Sequence, residues 1–207
     1  MLDVGSGLGV DAFIAANYAG EKGKVVGIDI AKREVEHAQK RATDRNLDIR
    51  FINADMEAIP VPDGSFDVVI SNGAFCMAPN KEKAFAEIFR VLKPGGRISI
   101  CTSTVTANLE AGVNWPLCMR MFIHKDEIEP LCKKLGFADV AIDDSNSLMQ
   151  YELPEDWVEE QKNENEKDDK AQERFKVHVG SDEFKHLADY NMNEICARVC
   201  VVARKAE

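Results

Sequence analysis

Two kinds of hydrophobic pattern alternate along most of the chain. Short runs rich in β-branched residues, such as 24–30 (KVVGIDI) and 66–72 (FDVVISN), predict buried strands. Longer segments with apolar residues at helical spacing, such as 31–42 and 81–92, predict amphipathic helices. Strands that alternate with helices form βαβ units, whose strands are parallel. The pattern therefore predicts an α/β, Rossmann-like fold: a mostly parallel, twisted sheet with helices on both faces.

The same pattern continues after residue 92. The turn KPGG (93–96) contains a proline and two glycines that end the preceding helix, and a strand follows at 97–103. A helix is predicted near 125–135, and a strand near 138–143. Alternating apolar residues from Ile195 onward predict a terminal strand over 194–204, which we expect to be antiparallel.

Residues 151–193 differ in composition from the rest of the chain. The stretch EEQKNENEKDDKAQER is charged on all sides, as in a solvated helix, a mobile flap or a disordered segment. Of these, we favour an exposed acidic helical insertion within a single domain that spans 1–207.

Composition limits the kinds of partner. The 207 residues are 45% hydrophobic, enough for one α/β domain with a core. The net charge of -10 argues against binding to nucleic acid or to an anionic membrane, and favours a small-molecule partner. No apolar run approaches the roughly 18 residues that a membrane span needs, so we expect a soluble, cytoplasmic protein. The six cysteines lack the dense spacing of a disulfide framework, and we expect free thiols.

The chain opens with MLDVG, only a few residues before a glycine-rich turn. In an open α/β sheet a strand of about five or six residues is expected at this position. We therefore expect the first, central strand to be truncated and the chain to be a fragment.

The glycine-rich turn is the first candidate site. Gly5, Ser6, Gly7 and Gly9 lie between a strand end and a helical pattern, where a missing Cβ lets a ligand approach the backbone. A purely structural glycine turn would look similar. A dinucleotide fingerprint reads GxGxxG, but its sixth position is Val10 here. The spacing GxGxG favours a cofactor without a pyrophosphate, such as S-adenosylmethionine.

Two acids at later strand ends have the spacing of nucleoside contacts. Asp29, followed by Ile30, ends the second strand, where a carboxylate can accept from both ribose hydroxyls; the alternative is a cap of the next helix. Asp55 is positioned to accept from an adenine amine while Met56 covers the ring, or it is simply a turn residue.

Three further residues are candidates near the reacting centre. Ser71 and Asn72 end the fourth strand, at the crevice where ligands bind beyond the carboxyl ends of strands, and we expect them to line the methyl group. Asp3 is a buried acid that contacts either the cofactor's ammonium group or the amides of the loop.

With these residues assembled, the chain resembles class I methyltransferases that use S-adenosylmethionine. The resemblance is carried by LDVGSGLG (2–9), VVGIDI (25–30), NADMEAIPVPDGSFDVVISNGAF (53–75) and FRVLKPGGR (89–97). Segments 21–42, 70–85 and 114–128 are similar, more narrowly, to the arsenite methyltransferase group.

The narrower resemblance implies a role for cysteines. The substrate thiol of the family falls on Cys118, and a terminal-strand cysteine of the family matches Cys196 with a small gap. A third cysteine of the family corresponds to Ala12 here, so the third ligand of arsenic(III) would be Cys76 or a thiol of the substrate. The alternative for each cysteine is a buried small hydrophobic residue.

The resemblance implies an S-adenosylmethionine-dependent methyltransferase that acts on a small molecule, arsenite or a thiol-bound arsenical. One alternative is a cofactor-binding protein or fragment with little activity, and another is an NAD-type oxidoreductase, which Val10 opposes. An amine or hydroxyl acceptor would need a general base, for which His124 is the nearest candidate if it is not simply a helix-start residue.

Overall fold

The computed structural model describes residues 1–20, 23–145, 190 and 192–207. Within this part of the chain the strands are β1 (Leu2–Val4), β2 (Val25–Asp29), β3 (Ile49–Asn53), β4 (Phe66–Asn72), β5 (Leu92–Val105), β6 (Phe137–Asp143) and β7 (Cys196–Lys205). The helices are α1 (Val10–Ala19), α2 (Lys32–Asp44), α3 (Lys81–Val91), α4 (Leu117–Met121), α5 (Lys125–Lys134) and α6 (Met192–Ile195), with a 3₁₀ turn at Phe75–Met77.

The strands form one sheet in the order β3-β2-β1-β4-β5-β7-β6. Strands β1 to β5 pair in parallel, and β7 runs antiparallel between β5 and β6. The short strand β1 lies at the centre, where the chain order reverses between β2 and β4. The predicted Rossmann-like sheet with an antiparallel terminal strand is confirmed.

Side chains on the two faces of the sheet enter different hydrophobic clusters. Val25 and Phe51 pack with residues of α1 and α2, whereas Ile28 packs with residues of α3 and α5. Because successive strand residues point to opposite faces, helices cover both sides of the sheet. This layering leaves the carboxyl ends of the parallel strands as the edge where loops meet.

Two predicted boundaries are wrong by a few residues. Helix α3 ends at Val91 before the KPGG turn, but β5 already begins at Leu92 and runs through that turn. Leu92 pairs with Phe66 of β4 ahead of a register shift, so the turn is built into the strand as an irregularity. Ile195 closes α6 instead of opening the terminal strand. The predicted insertion at 151–193 lies almost wholly outside the described residues.

No helix among the described residues is long and apolar enough to span a membrane.

An aromatic cluster fixes α3 against the sheet. The ring of Phe85 lies 4.4 Å from that of Phe75 and 6.3 Å from that of Phe137, between centroids. Phe85 is 1% exposed. Since Phe75 begins the 3₁₀ turn after β4, this packing also positions the loop that follows the fourth strand.

We predict that Phe85→Ala lowers the free energy of unfolding by about 3 to 5 kcal/mol, because it removes a buried ring and leaves a cavity. Urea denaturation followed by circular dichroism measures the change. Tyr18→Ala is the matched control, since Tyr18 is 87% exposed and its loss should cost less than about 0.5 kcal/mol. A Phe85→Ala variant as stable as the control would contradict the packing described here.

Candidate active site

The glycine loop between β1 and α1 depends on glycine for its own packing. Gly5, Gly7 and Gly9 have φ angles of 72°, 49° and 84°, a region that other residues rarely adopt. A Cβ on Gly5 would lie 2.0 Å from Cβ of Ala74, and one on Gly9 would lie 2.6 Å from the ring of Phe51. At these two positions the expected space for a ligand is therefore taken up by the protein itself. A Cβ on Gly7 would meet only the end of the Glu34 side chain, so Gly7 is the more open position.

Asp29 joins this loop to the start of α2. Its Oδ2 accepts a hydrogen bond from the Gly7 amide at 2.9 Å, and its Oδ1 accepts one from the Ala31 amide at 2.8 Å. Ala31 is the N-cap of α2 and no side chain caps the first turn of that helix, so the capping role that the sequence left open is not formed. Each carboxylate oxygen has two lone pairs, so Asp29 keeps acceptor capacity for ligand hydroxyls.

Two buried polar atoms beside the loop have no hydrogen-bond partner within the described residues: Oδ2 of Asp3 and Oγ of Ser6. Asp3 is 1% exposed, and burial raises its pKa to about 7; the carboxylates of Asp11 and Asp29 add to this, and the Ala12 amide opposes it. Asp3 thus contacts an amide of helix α1 and not an amide of the glycine loop, which was the expected alternative. An unsatisfied buried acceptor is costly, so this pair fits a ligand that donates hydrogen bonds or carries a positive charge.

The predicted adenine contacts lie beyond β2 and β3. Oδ1 of Asp55 accepts from the Glu57 amide at 2.8 Å, which is the turn role that the sequence left open. The methyl carbon of Met56 lies 3.9 Å from the position that a Gly5 Cβ would occupy, so Met56 extends towards the glycine loop. Ile30 is 74% exposed, an apolar surface at the carboxyl end of β2. Their contact with a cofactor remains a prediction.

Ser71 and Asn72 differ in what their side chains contact. The buried Ser71 hydroxyl donates to the Val4 carbonyl at 2.7 Å and so ties β4 to β1 instead of facing the crevice. The exposed Asn72 amide donates to Oδ2 of Asp11 at 3.3 Å and accepts from the Arg198 guanidinium at 3.2 Å. Of the two, Asn72 is the one placed to reach a ligand.

The structure brings two of the three candidate cysteines together. Cys196 is buried with Trp115 and Met119 in a small hydrophobic cluster, and Cys118 packs against that cluster. Burial raises the pKa of Cys196 to about 11, and the neighbouring Cys118 thiol adds to the increase.

Cys76 is not a member of that cluster. It lies in the 3₁₀ turn, and its thiol donates to the Gly73 carbonyl at 3.3 Å. The described residues contain no group of three or more metal-ligating side chains, so Cys76 does not complete a three-thiol cage. All six cysteines are free thiols, as expected.

His124 occupies a structural position. It is the N-cap of α5, and its Nδ1 accepts from the Asp126 amide at 3.3 Å. This bears out the helix-start alternative, and the geometry gives no support for His124 as a general base.

Three residues that sequence reasoning missed contribute to this edge of the sheet. Arg41 of α2 donates to the Leu8 carbonyl at 2.8 Å and so fixes the far side of the glycine loop. Asp11 and Arg198 hold Asn72 from both sides. These contacts join residues 33, 61 and 126 positions apart, and no local motif marks them.

Comparison with known families decides the class. Residues 1–192 match the model of a family described as a methyltransferase domain. The chain belongs to this methyltransferase family. The family match confirms the predicted class of protein and its cofactor, S-adenosylmethionine. The predicted Rossmann-like fold is confirmed as well. The family match also removes the support for an NAD-type oxidoreductase.

The methyltransferase chain is similar to proteins with different acceptors. It is 32% identical over 148 residues to arsenite methyltransferase of Halobacterium salinarum, covering 69% of this chain and 38% of that protein. It is 38% identical over 100 residues to demethylmenaquinone methyltransferase of Thermus thermophilus, covering 48% of this chain and 45% of that protein. The chain thus spans less than half the length of both relatives.

A solved structure has the same fold as this methyltransferase chain. It is a phosphoethanolamine N-methyltransferase of Haemonchus contortus in complex with phosphomonomethylethanolamine and S-adenosylhomocysteine. The TM-score is 0.72 at 24% identity, covering 100% of this chain and 48% of that one. The match extends across the whole sheet, but at this identity it supports the fold alone.

We predict that the Asp3 carboxyl makes stability depend on pH. Its raised pKa means that the folded protein keeps a proton that the unfolded chain releases above pH 3.8. The contribution of Asp3 to stability is therefore fully present below that pH and is lost as the pH rises towards 7. Relative to Asp3→Asn, the wild-type free energy of unfolding should fall by about 1.4 kcal/mol per pH unit in this window.

Urea titrations of both proteins at several pH values between 4 and 7 measure this difference. The exposed Asp48→Asn variant is the control, and its free energy of unfolding should change with pH in the same way as that of the wild type. Saturating S-adenosylhomocysteine should flatten the slope if its ammonium group pairs with Asp3. A gap between wild type and Asp3→Asn that is constant with pH would contradict the assignment.

Proposed function

We propose that this chain transfers the methyl group of S-adenosylmethionine to a trivalent arsenic centre held by Cys118 and Cys196. The observation that carries the proposal is that these two thiols share one small cluster at the sheet edge that also bears the glycine loop. The similarity to an arsenite methyltransferase supports the choice of acceptor.

In this proposal the residues around the glycine loop hold the cofactor. Asp3 accepts from the ammonium group, because its Oδ2 is buried without a partner among the described residues. Asp29 accepts from the ribose hydroxyls with the lone pairs that Gly7 and Ala31 leave free. The buried hydroxyl of Ser6 donates a hydrogen bond to the cofactor or accepts one from it, since this hydroxyl likewise has no partner within the described residues.

The adenine ring is proposed to lie among Asp55, Met56 and Ile30. Oδ2 of Asp55 accepts from the amine, since its Oδ1 is engaged by the Glu57 amide. The exposed Ile30 and the Met56 side chain supply apolar surface for the two ring faces.

The thiol pair lies on the acceptor side of the same edge. Cys196 begins β7 and pairs in register with Val105, the last residue of the parallel strand β5. Helix α4, which carries Cys118, packs against the 3₁₀ turn that follows β4. At about 4.8 Å per strand, β7 lies roughly 10 Å from β4, so α4 brings Cys118 back towards the centre of the edge.

The chemistry proposed for the thiols conserves charge and oxidation state. Arsenite exchanges two hydroxyl ligands for the sulfurs of Cys118 and Cys196, and each thiol proton leaves with a hydroxyl as water. This exchange suits Cys196, whose pKa of about 11 keeps it protonated at neutral pH. A small-molecule thiol supplies the third ligand, since Cys76 is not a member of the Cys118–Cys196 cluster. This thiol either arrives already bound to the arsenic or exchanges for the last hydroxyl, its proton leaving with that hydroxyl as water.

Methyl transfer then needs alignment more than acid–base catalysis. S-adenosylmethionine, when bound, supplies a methyl group on a positively charged sulfur. The arsenic lone pair would attack the methyl carbon in line while the carbon–sulfur bond breaks; S-adenosylhomocysteine would leave, and the positive charge would pass to a methylated, formally pentavalent arsenic. No general base would be required, and the protein would have to align the reacting atoms at about 3 to 3.5 Å. The cluster around Trp115 and Met119 excludes water from the arsenic side.

We predict that Cys118→Ser lowers arsenite-dependent methylation at least tenfold, because a hydroxyl is a poor ligand for a soft acceptor. Transfer of label from S-adenosylmethionine to arsenite in the presence of glutathione measures the rate. The affinity for S-adenosylhomocysteine, measured by calorimetry, should be unchanged. Cys196→Ser should have the same effect on the rate.

Cys132→Ala is the matched control, since Cys132 is a fully buried thiol in the main core. It should keep the wild-type rate at a temperature where the variant is folded. Turnover of arsenite by Cys118→Ser at the wild-type rate would remove Cys118 from the site. Cofactor binding without turnover of arsenite by the wild type would limit the proposal to the cofactor.

A further inference from the structure

Two cysteines outside the proposed acceptor site face each other across neighbouring strands. Cys101 of β5 and Cys200 of β7 are register partners in the antiparallel pair. Their sulfur atoms lie 3.0 Å apart, and Oγ of Ser99 lies 3.5 Å from Sγ of Cys200. Both cysteines are partly exposed, so the pair is an accessible vicinal dithiol.

The surroundings of this dithiol connect it to the catalytic edge. Cys101 is also the register partner of Asn72, the last residue of β4, and the Cys101 carbonyl accepts from the Gly73 amide. The charge of Arg198 lowers the pKa of the Cys101 thiol and that of Asp11 raises it. The same two side chains form hydrogen bonds with Asn72. The dithiol therefore lies beside the polar group that ends the fourth strand.

We propose that Cys101 and Cys200 form a bidentate binding site for a monosubstituted trivalent arsenical. Two thiols and one organic substituent satisfy the three bonds of such an arsenic atom. Zinc fits poorly, because a structural zinc site needs four protein ligands, and the described residues contain no group of even three suitable side chains.

The binding step balances without an oxidant or reductant. A monosubstituted arsenical in water carries two hydroxyl groups, each of which leaves as water with one thiol proton, while two arsenic–sulfur bonds form and arsenic stays trivalent. Burial raises the pKa of Cys101 to about 11, with the Cys200 thiol adding to the increase. The Cys101 proton therefore remains until a hydroxyl group of the arsenical removes it.

This site is distinct from the Cys118–Cys196 pair. Four residues of an extended strand separate Cys196 from Cys200, which is roughly 13 Å. One arsenic atom cannot bridge that distance. The dithiol goes beyond the proposed function, because its binding does not depend on whether arsenite is a methyl acceptor.

The probe for this site is phenylarsine oxide, a monosubstituted trivalent arsenical. The reduced chain is incubated with it and then chased with excess glutathione, and intact-mass spectrometry counts the equivalents that remain. The chase removes arsenic held by one thiol, whereas a chelate survives because its second bond forms within the same molecule.

The wild type should retain one equivalent more than either Cys101→Ser or Cys200→Ser. Ser103→Ala is the matched control, since Ser103 is a partly exposed residue on the same face of β5 as Cys101, and it should retain as much as the wild type. Circular dichroism confirms that each variant is folded. The double variant Cys118→Ser/Cys196→Ser should still retain the dithiol equivalent, whether or not the wild type methylates arsenite.

Equal retention by wild type, Cys101→Ser and Cys200→Ser would overturn the proposal. Loss of all bound arsenic in Cys118→Ser/Cys196→Ser would also overturn it, because the dithiol would then bind nothing. Failure of the proposed function has a different signature, in which the dithiol equivalent persists but arsenite is not methylated.

Discussion

The Asp29 carboxylate connects the parts on which the candidate site depends. It receives the Gly7 amide with one oxygen and the Ala31 amide with the other, and so holds the glycine loop against the start of α2. The Ile28 carbonyl, one residue earlier, accepts from the amides of Gly5 and Ser6. The carboxyl end of β2 thereby determines the path of the loop that leaves β1. The raised pKa of Asp3 reflects its burial first, then the Asp11 carboxylate, and to a smaller extent the Asp29 carboxylate.

This arrangement explains why the same residues serve the fold and the proposed cofactor site. Gly5 and Gly9 are required because Ala74 and Phe51 occupy the space where a Cβ would lie. Asp29 organises backbone amides and still has lone pairs for a ligand. Asp3 and Ser6 are different, since each keeps a buried polar atom without a partner in the described part of the chain. The unsatisfied atoms, more than the glycines, distinguish a binding loop from a structural turn.

The parts of the fold predicted from sequence are those set by local pattern. The alternation of β-branched runs with helical segments predicted the parallel sheet, and apolar residues at helical spacing over 81–92 predicted α3. Long-range pairing was beyond such patterns: nothing near Ser71 in the sequence shows that its hydroxyl bonds to Val4, 67 positions away. The Cys101–Cys200 dithiol arises from the register of β5 against β7, which depends on the whole sheet.

The identity of the methyl acceptor is the part of the function that the similar proteins do not determine. Similar proteins are named for arsenite and for demethylmenaquinone, so the family alone leaves the acceptor open. The cysteines supply the specific information, because one pair lies in an apolar cluster under α4 and the other lies across β5 and β7. The soft thiol ligands of the Cys118–Cys196 pair support the proposal of a soft acceptor over an amine or a ring carbon.

The most direct test of this account is a crystal structure of the chain with S-adenosylhomocysteine. The account predicts density at the carboxyl ends of β1 and β2, with the amino group of the ligand within hydrogen-bond distance of Asp3 and its ribose hydroxyls on Asp29. Ligand density at another edge of the sheet, or at this edge with Asp3 and Asp29 both free of contact, would contradict it.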